Sequence, residues 1–264
     1  MKIRKVAVIL AAIFCGLFAL VWGAWLIAVP SGLITGKLSE ALQESKVRVE
    51  FDNFRKGLFY NIKADGLRVS SAAGGDDIVY LEDLRAGLNV PSVFRLSPCL
   101  DFSALLSGGD ITGRAGSDGS LIINASGVDI AGLGIESFIT GLKSGGEASF
   151  YLDTVDGEGE AKLHVNGMSF LPYSYMGFTL PLDVLKNARA MLMMSSGIVT
   201  VKSAVIEGDG IYSRAKGTIG GGNIDILIEL MPSEFFESSQ PYFGMLQRFR
   251  VTKGLYEIPV RRPY

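Results

Sequence analysis

Few side chains in this chain are equipped for chemistry. His164 is its one histidine, and Cys15 and Cys99 are its two cysteines. A zinc centre gathers three or four His, Cys or carboxylate ligands. His164 and Cys99 fall short of that set, and His164 sits on the polar side of an alternating stretch, where an ordinary surface residue is expected. The G-x-S-x-G nucleophile turn and the G-x-x-x-x-G-K-[ST] phosphate loop are both absent from the sequence, and Gly141-Leu142-Lys143-Ser144 resembles the latter only superficially. The acidic pairs Asp76-Asp77 and Glu82-Asp83 read as turn and edge charges. Paired carboxylates carry no local signature, so a carboxylate hydrolase would leave no mark here. The reading is a non-catalytic protein with no catalytic, metal or cofactor-binding residues and no cofactor. Asn124-Ala125-Ser126 matches a glycosylation sequon, a pattern too short to carry weight without a eukaryotic secretory context.

With chemistry set aside, the elements themselves become informative. Lys2, Arg4 and Lys5 precede a run from Val6 to Val29 without a charged side chain, closed by Pro30. A helix over this run rises about 36 Å, enough to cross a hydrocarbon core of about 30 Å with some tilt. Trp22 and Trp25 stand near its far end, where indole rings favour the interface. The three cations place the N-terminus in the cytoplasm and everything beyond Pro30 outside it. A cleaved signal peptide would have a shorter apolar region and a small-x-small site, and Leu26-Ile27-Ala28 is a poor one. Cys15 lies mid-run after Phe14, unlike a lipoprotein cysteine, and a thiol in lipid cannot reach Cys99, so no disulfide is expected. The expected organisation is a tip and anchor over residues 1–30 and one periplasmic β-rich domain over 31–264. The expected location is the inner membrane, single-pass.

The domain reads as strands and tight turns. Ile34, Leu38, Ala41 and Leu42 first mark a short amphipathic helix. From Val47 the period falls to two: Val47, Val49, Phe51; then Ala148, Phe150, Leu152; then Ala161, Leu163, Val165; then Ile224, Ile226, Ile228, Leu230. Alternation of this kind predicts strands with one dry and one wet face, in antiparallel sheet. Ser117-Asp118-Gly119, Asp156-Gly157, Asp209-Gly210 and Gly220-Gly221-Gly222-Asn223 supply hairpin turns, so the sheet is expected to be a meander. A polar-Gly-apolar-polar-apolar motif recurs at Asp65–Val69, Ser126–Ile130 and Asn166–Phe170, suiting a bulge or bend. Short helices are expected over Pro91–Leu96, Ile135–Leu142 and Leu182–Met194, the last with Leu182, Leu185, Ala188 and Leu192 on one face. Another is expected between Ser233 and Arg250, capped by Ser233. A net charge of −2 gives no reason to expect nucleic acid.

Several segments, in order, resemble the type II secretion system protein N family, itself similar to AsmA-like proteins. They are Asn61–Val69, Leu88-Asn89-Val90-Pro91-Ser92-Val93, Gly108–Gly113, Leu180-Pro181-Leu182, Gly197–Val201 and Gly254–Val260. The family also has a small strand after Val260, where this chain has Arg261-Arg262-Pro263-Tyr264. The resemblance implies an inner-membrane, periplasm-facing accessory of the type II secretion apparatus, with other secretion components and the membrane as partners. Similarity to AsmA-like proteins implies a mainly β fold, an antiparallel meander curled into an open groove or half-barrel, with phospholipid as a further partner. Phe150, Leu152, Leu163, Val165, Ile224, Ile226 and Ile228 are the candidate groove lining, and the same faces would equally suit an ordinary closed core.

Overall fold

Alternating stretches become antiparallel strands in the computed structural model, which describes residues 32, 36, 47–57, 60–71, 77–133, 144–175 and 178–263. The anchor residues Lys2, Arg4, Lys5, Trp22 and Trp25, the helix expected near Ile34–Leu42 and the one expected at Ile135–Leu142 lie outside these. Contacts divide the chain after Asn89 into two compact units. The first holds β1 (Val47–Asp52), β2 (Arg55–Lys56), β3 (Asn61–Ser71) and β4 (Asp77–Leu88). Here β3 lies between β1 and β4, with Val49 opposite Val69 and Val69 opposite Val79. Glu82 and Asp83 fall inside β4.

The second unit opens with helix α1 (Val90–Phe94), where Pro91 sits in the first turn and forgoes an amide that would have no helical partner. Strands follow as β5 (Cys99–Leu106), β6 (Gly109–Gly116), β7 (Ser120–Asp129), β8 (Ser144–Val155) and β9 (Glu158–Phe170). After the small hairpin of β10 (Tyr173–Tyr175) and β11 (Phe178–Leu180) come β12 (Leu185–Ser195), β13 (Ile198–Gly208), β14 (Ile211–Gly220) and β15 (Asn223–Pro232). Two helices, α2 (Glu234–Ser239) and α3 (Phe243–Leu246), precede β16 (Arg250–Thr252) and β17 (Leu255–Pro263). Within this unit the order is β5-β6-β7-β8-β9-β12-β13-β14-β15-β17-β16. It never returns to its starting strand, so the sheet is open and mainly a meander. Ser107-Gly108, Asp156-Gly157 and Ser196-Gly197 each carry positive φ at both residues, the type I′ geometry whose twist matches the strands it joins.

Two of the three glycine motifs form bulges. The β7–β8 register slips between Ala125 and Val128 and the β8–β9 register between Gly145 and Glu147, opposite Asn166–Ser169. Gly127 and Gly167 adopt φ of 68° and 59° there. Gly66, in the third motif, pairs regularly with Asp52 and Glu82.

The helix expected over Leu182–Met194 is a 3-10 turn at Leu182–Val184 followed by strand β12. Its apolar residues fit both periods, and pairing on both edges, to β9 and β13, settles the choice for strand. Between Ser233 and Arg250 the expected helix is two. Ser233 Oγ accepts from the Phe236 amide at 3.2 Å, as a cap should. Pro241, which lacks an amide, falls between α2 and α3. At the tail, β17 runs past Val260 and pairs with β15 as far as Pro263.

Candidate functional site

Directly opposed residues on neighbouring strands share a face. One such row crosses the second unit as Ala104, Ile111, Ala125, Phe150, Leu163, Ala190, Ala204, Ala215, Ile228 and Ile258. The next row on that face is Phe102, Gly113, Ile123, Leu152, Ala161, Leu192, Val201, Gly217, Ile226 and Val260. Neither row contains a polar side chain over ten strands. A bulge in β13 preserves this: Met191 opposes Ser203 but Leu192 opposes Val201, and the residue absorbed there keeps Val201 and Ala204 on one face.

The reverse face is ionic. Arg114 Nε donates to Asp101 at 2.6 Å, Arg189 to Glu207 at 2.8 Å, Lys216 to Glu229 at 2.7 Å and Arg261 to Asp225 at 3.2 Å. Mostly exposed, such pairs contribute about 0–1 kcal/mol each and chiefly mark the face as the wet one.

Among the described residues of this unit, packing covers one end of the apolar face. A third row, Ala148, Val165, Ala188, Ile206, Ser213, Leu230 and Tyr256, runs along that end. Both clusters of buried residues sit on it. Val128, Ile130, Ala148, Val165 and Met168 pack with Leu133, Phe170 and Leu185. Phe236 and Phe243, from α2 and α3, pack on Tyr256 and Leu230. Among the described residues of this unit no second large sheet lies over the other two rows. Their side chains are mostly half-buried, and Leu163 is 38% exposed.

The seven residues expected to line a groove are thus brought to one face. Phe150 opposes Leu163, Leu152 shares their side one step along, Val165 lies in the covered row, and Ile226 and Ile228 continue the two open rows on β15. Ile224 stands on the same side, opposite Ile219. A cavity of about 470 Å³ between β7 and β13 is lined chiefly from the reverse face, by Tyr151, Lys162, His164, Arg189 and Met191, and reaches Phe150, Leu163 and Ala190 between them, so it is not the apolar groove. The alanines Ala125, Ala190, Ala204 and Ala215 escaped the sequence reading. Their alternation was present, but alanine is too weakly apolar to stand out.

The polar groups beside this cavity satisfy one another. Tyr151 Oη donates to Asp153 at 3.0 Å, which holds the phenol above its usual pKa. Lys162 Nζ donates to Glu160 at 2.6 Å, and this bond raises the ammonium pKa. His164 is exposed, opposite Ser149 and Arg189. Cys99 is half-buried at the start of β5, its amide donating to Ser92 Oγ at 2.9 Å. Among the described residues no three His, Cys, Asp or Glu side chains gather as a metal set would.

At the covered end the one network without a local signal appears. Tyr256, fully buried, donates its hydroxyl to Glu237 Oε1 at 2.6 Å, and Gln247 Nε2 donates to the same hydroxyl at 3.4 Å. Arg250 approaches Glu237 Oε1 at 3.5 Å. These residues join α2 and the α3 end to the last long strand.

Among the described residues no helix is long and apolar enough to cross a membrane, and Val6–Val29 lies outside them. Comparison of the chain with protein-family models, with curated proteins and with solved structures finds no match.

Proposed function

We propose that this chain is a membrane-anchored, non-catalytic accessory component of the type II secretion machinery. Val6–Val29 holds it in the inner membrane and the residues beyond Pro30 work in the periplasm. The observation that carries this reading is where the family-like segments fall. Asn61–Val69 lies in β3, Gly108–Gly113 at the β5–β6 hairpin, Gly197–Val201 at the start of β13 and Gly254–Val260 along β17. These four occupy strands or strand junctions, while Leu88–Val93 leads from β4 into α1 and Leu180–Leu182 from β11 into a 3-10 turn. The test is capture of the tagged full-length chain from membranes in mild detergent, with other secretion components expected alongside. Recovery of the chain alone, under conditions that keep the assembled machine intact, refutes the reading.

A second reading has its own support in the two uncovered apolar rows, which suit the acyl chain of a phospholipid. The full-length protein would then retain lipid in fixed ratio after extensive detergent exchange, measured by extraction and mass spectrometry. A Leu163→Glu chain that folds and still retains the same lipid refutes it.

A further inference from the structure

The turn after α1 presents its largest apolar side chains to solvent. Phe94 is 70% exposed and Leu96 is 92% exposed, with Val90 and Val93 at 44% and 41%. Its backbone is fully specified. The Leu96 amide donates to the Val93 carbonyl at 3.1 Å and the Ser97 amide to the Ser92 carbonyl at 3.2 Å. That pair of bonds is the Schellman ending of a helix, in which the residue at Leu96 must be left-handed. Its φ is 59°. Glycine or asparagine normally fills that position, because a larger side chain crowds the neighbouring carbonyl. Leucine here is disfavoured twice, by its backbone conformation and by its exposure, and among the described residues nothing packs over it to offset either cost. Two further bonds brace the turn: the Cys99 amide to Ser92 Oγ at 2.9 Å, and the Ser117 amide to the Pro98 carbonyl at 3.0 Å.

Within the turn itself the charge has one sign. Between Val90 and Pro98 the only charged residue is Arg95, exposed and flanked by Phe94 and Leu96. A cation between two bulky apolar side chains suits an anionic lipid interface: the hydrocarbon enters, and the guanidinium stays among the headgroups. On the anchor reading given above, on which this step rests, a bilayer is also within reach. We propose that the Val90–Pro98 turn is a membrane-contact element that seats Phe94 and Leu96 in the interface of an anionic phospholipid bilayer.

The test uses the full-length chain with Cys15→Ser and Cys99→Ser, carrying an environment-sensitive fluorophore at Leu96→Cys. A control carries the fluorophore at Asp209→Cys, in the exposed β13–β14 turn at the other end of the strands. Each is reconstituted in vesicles of phosphatidylcholine with or without phosphatidylglycerol. Shallow spin-labelled lipid should quench the label at 96 roughly threefold more than the label at 209, as expected for side chains lying within the headgroup boundary. Phosphatidylglycerol should strengthen the effect and Arg95→Glu should weaken it. Equal quenching at both positions, in protein that floats with the vesicles, overturns the proposal while leaving the anchor standing. Failure to float removes the anchor and the proposal together. A blue shift at 96 that grows with protein concentration and ignores lipid assigns the tip to a second copy and also overturns it. A separate Phe94→Ser chain, with the label retained at 96, should float as before and lose the excess quenching; unchanged quenching counts against the proposal.

Discussion

Removing a single oxygen, in Tyr256→Phe, probes what fastens the helix pair to the sheet. The ring would stay where it is, fully buried and 5.4 Å from that of Phe243, so no cavity opens. What disappears is the 2.6 Å bond donated to Glu237. Hydrogen bonds to charged groups contribute about 1.5–3 kcal/mol, and a largely covered carboxylate such as Glu237 that loses its donor bears part of the desolvation cost as well. Arg250, 3.5 Å from the same oxygen and one-third exposed, returns part of that. A loss of about 2 kcal/mol is therefore expected, or roughly 4–8 °C in Tm for a unit of this size. Circular dichroism of the full-length chain in detergent, melted by heat and by urea, measures it. Glu237→Gln and the double variant complete the cycle, and a coupling of about 1 kcal/mol or more should emerge. Burial first, then the bond to Glu237, raise the Tyr256 pKa above the ordinary tyrosine value of about 10. Below that value the folded and unfolded chains both keep the proton, and the contribution to stability is whole. As pH climbs past it the unfolded chain releases the proton first and stability falls, until the folded value too is passed. The wild-type chain should therefore lose more stability than the Phe variant above about pH 10. A Tyr256→Phe melt unchanged at neutral pH, or a cycle with no coupling, refutes the argument.

Other positions test the sheet itself. Gly109→Ala would place a Cβ 2.5 Å from the Val128 nitrogen and 2.6 Å from the Gly127 carbonyl carbon, both backbone of the β7 bulge, which cannot yield cheaply. A loss of about 1–3 kcal/mol in urea unfolding is expected, and a neutral result would place the bulge elsewhere. Leu163→Glu, on the uncovered row and 38% exposed, should cost about 1 kcal/mol or less in the same assay if that row faces solvent or lipid. A loss above about 3 kcal/mol would mean that the row is closed core. His164→Ala, an exposed position, should leave stability within about 0.5 kcal/mol, checked by the same melts.

The sequence by itself determined that the domain is β and which residues of each strand share a side. Alternation with period two is a local property, as at Ala148–Leu152 or Ile224–Leu230, and so are the turn residues at Asp156-Gly157 and the cap at Ser233. Only the tertiary structure decided how those sides line up. Whether Val128 meets Ala148, or Gly145 meets Ser169, depends on register, which the bulges at Gly127 and Gly167 reset by a residue. Leu182–Met194 carries helix and strand periods together, and became strand because β9 and β13 offered partners on both edges. The Tyr256–Glu237 bond spans nineteen positions and leaves no periodic trace, since neither residue needs the other until both are brought together. Periodicity is written along the chain one residue at a time, whereas register and burial belong to pairs of residues that become neighbours only on folding.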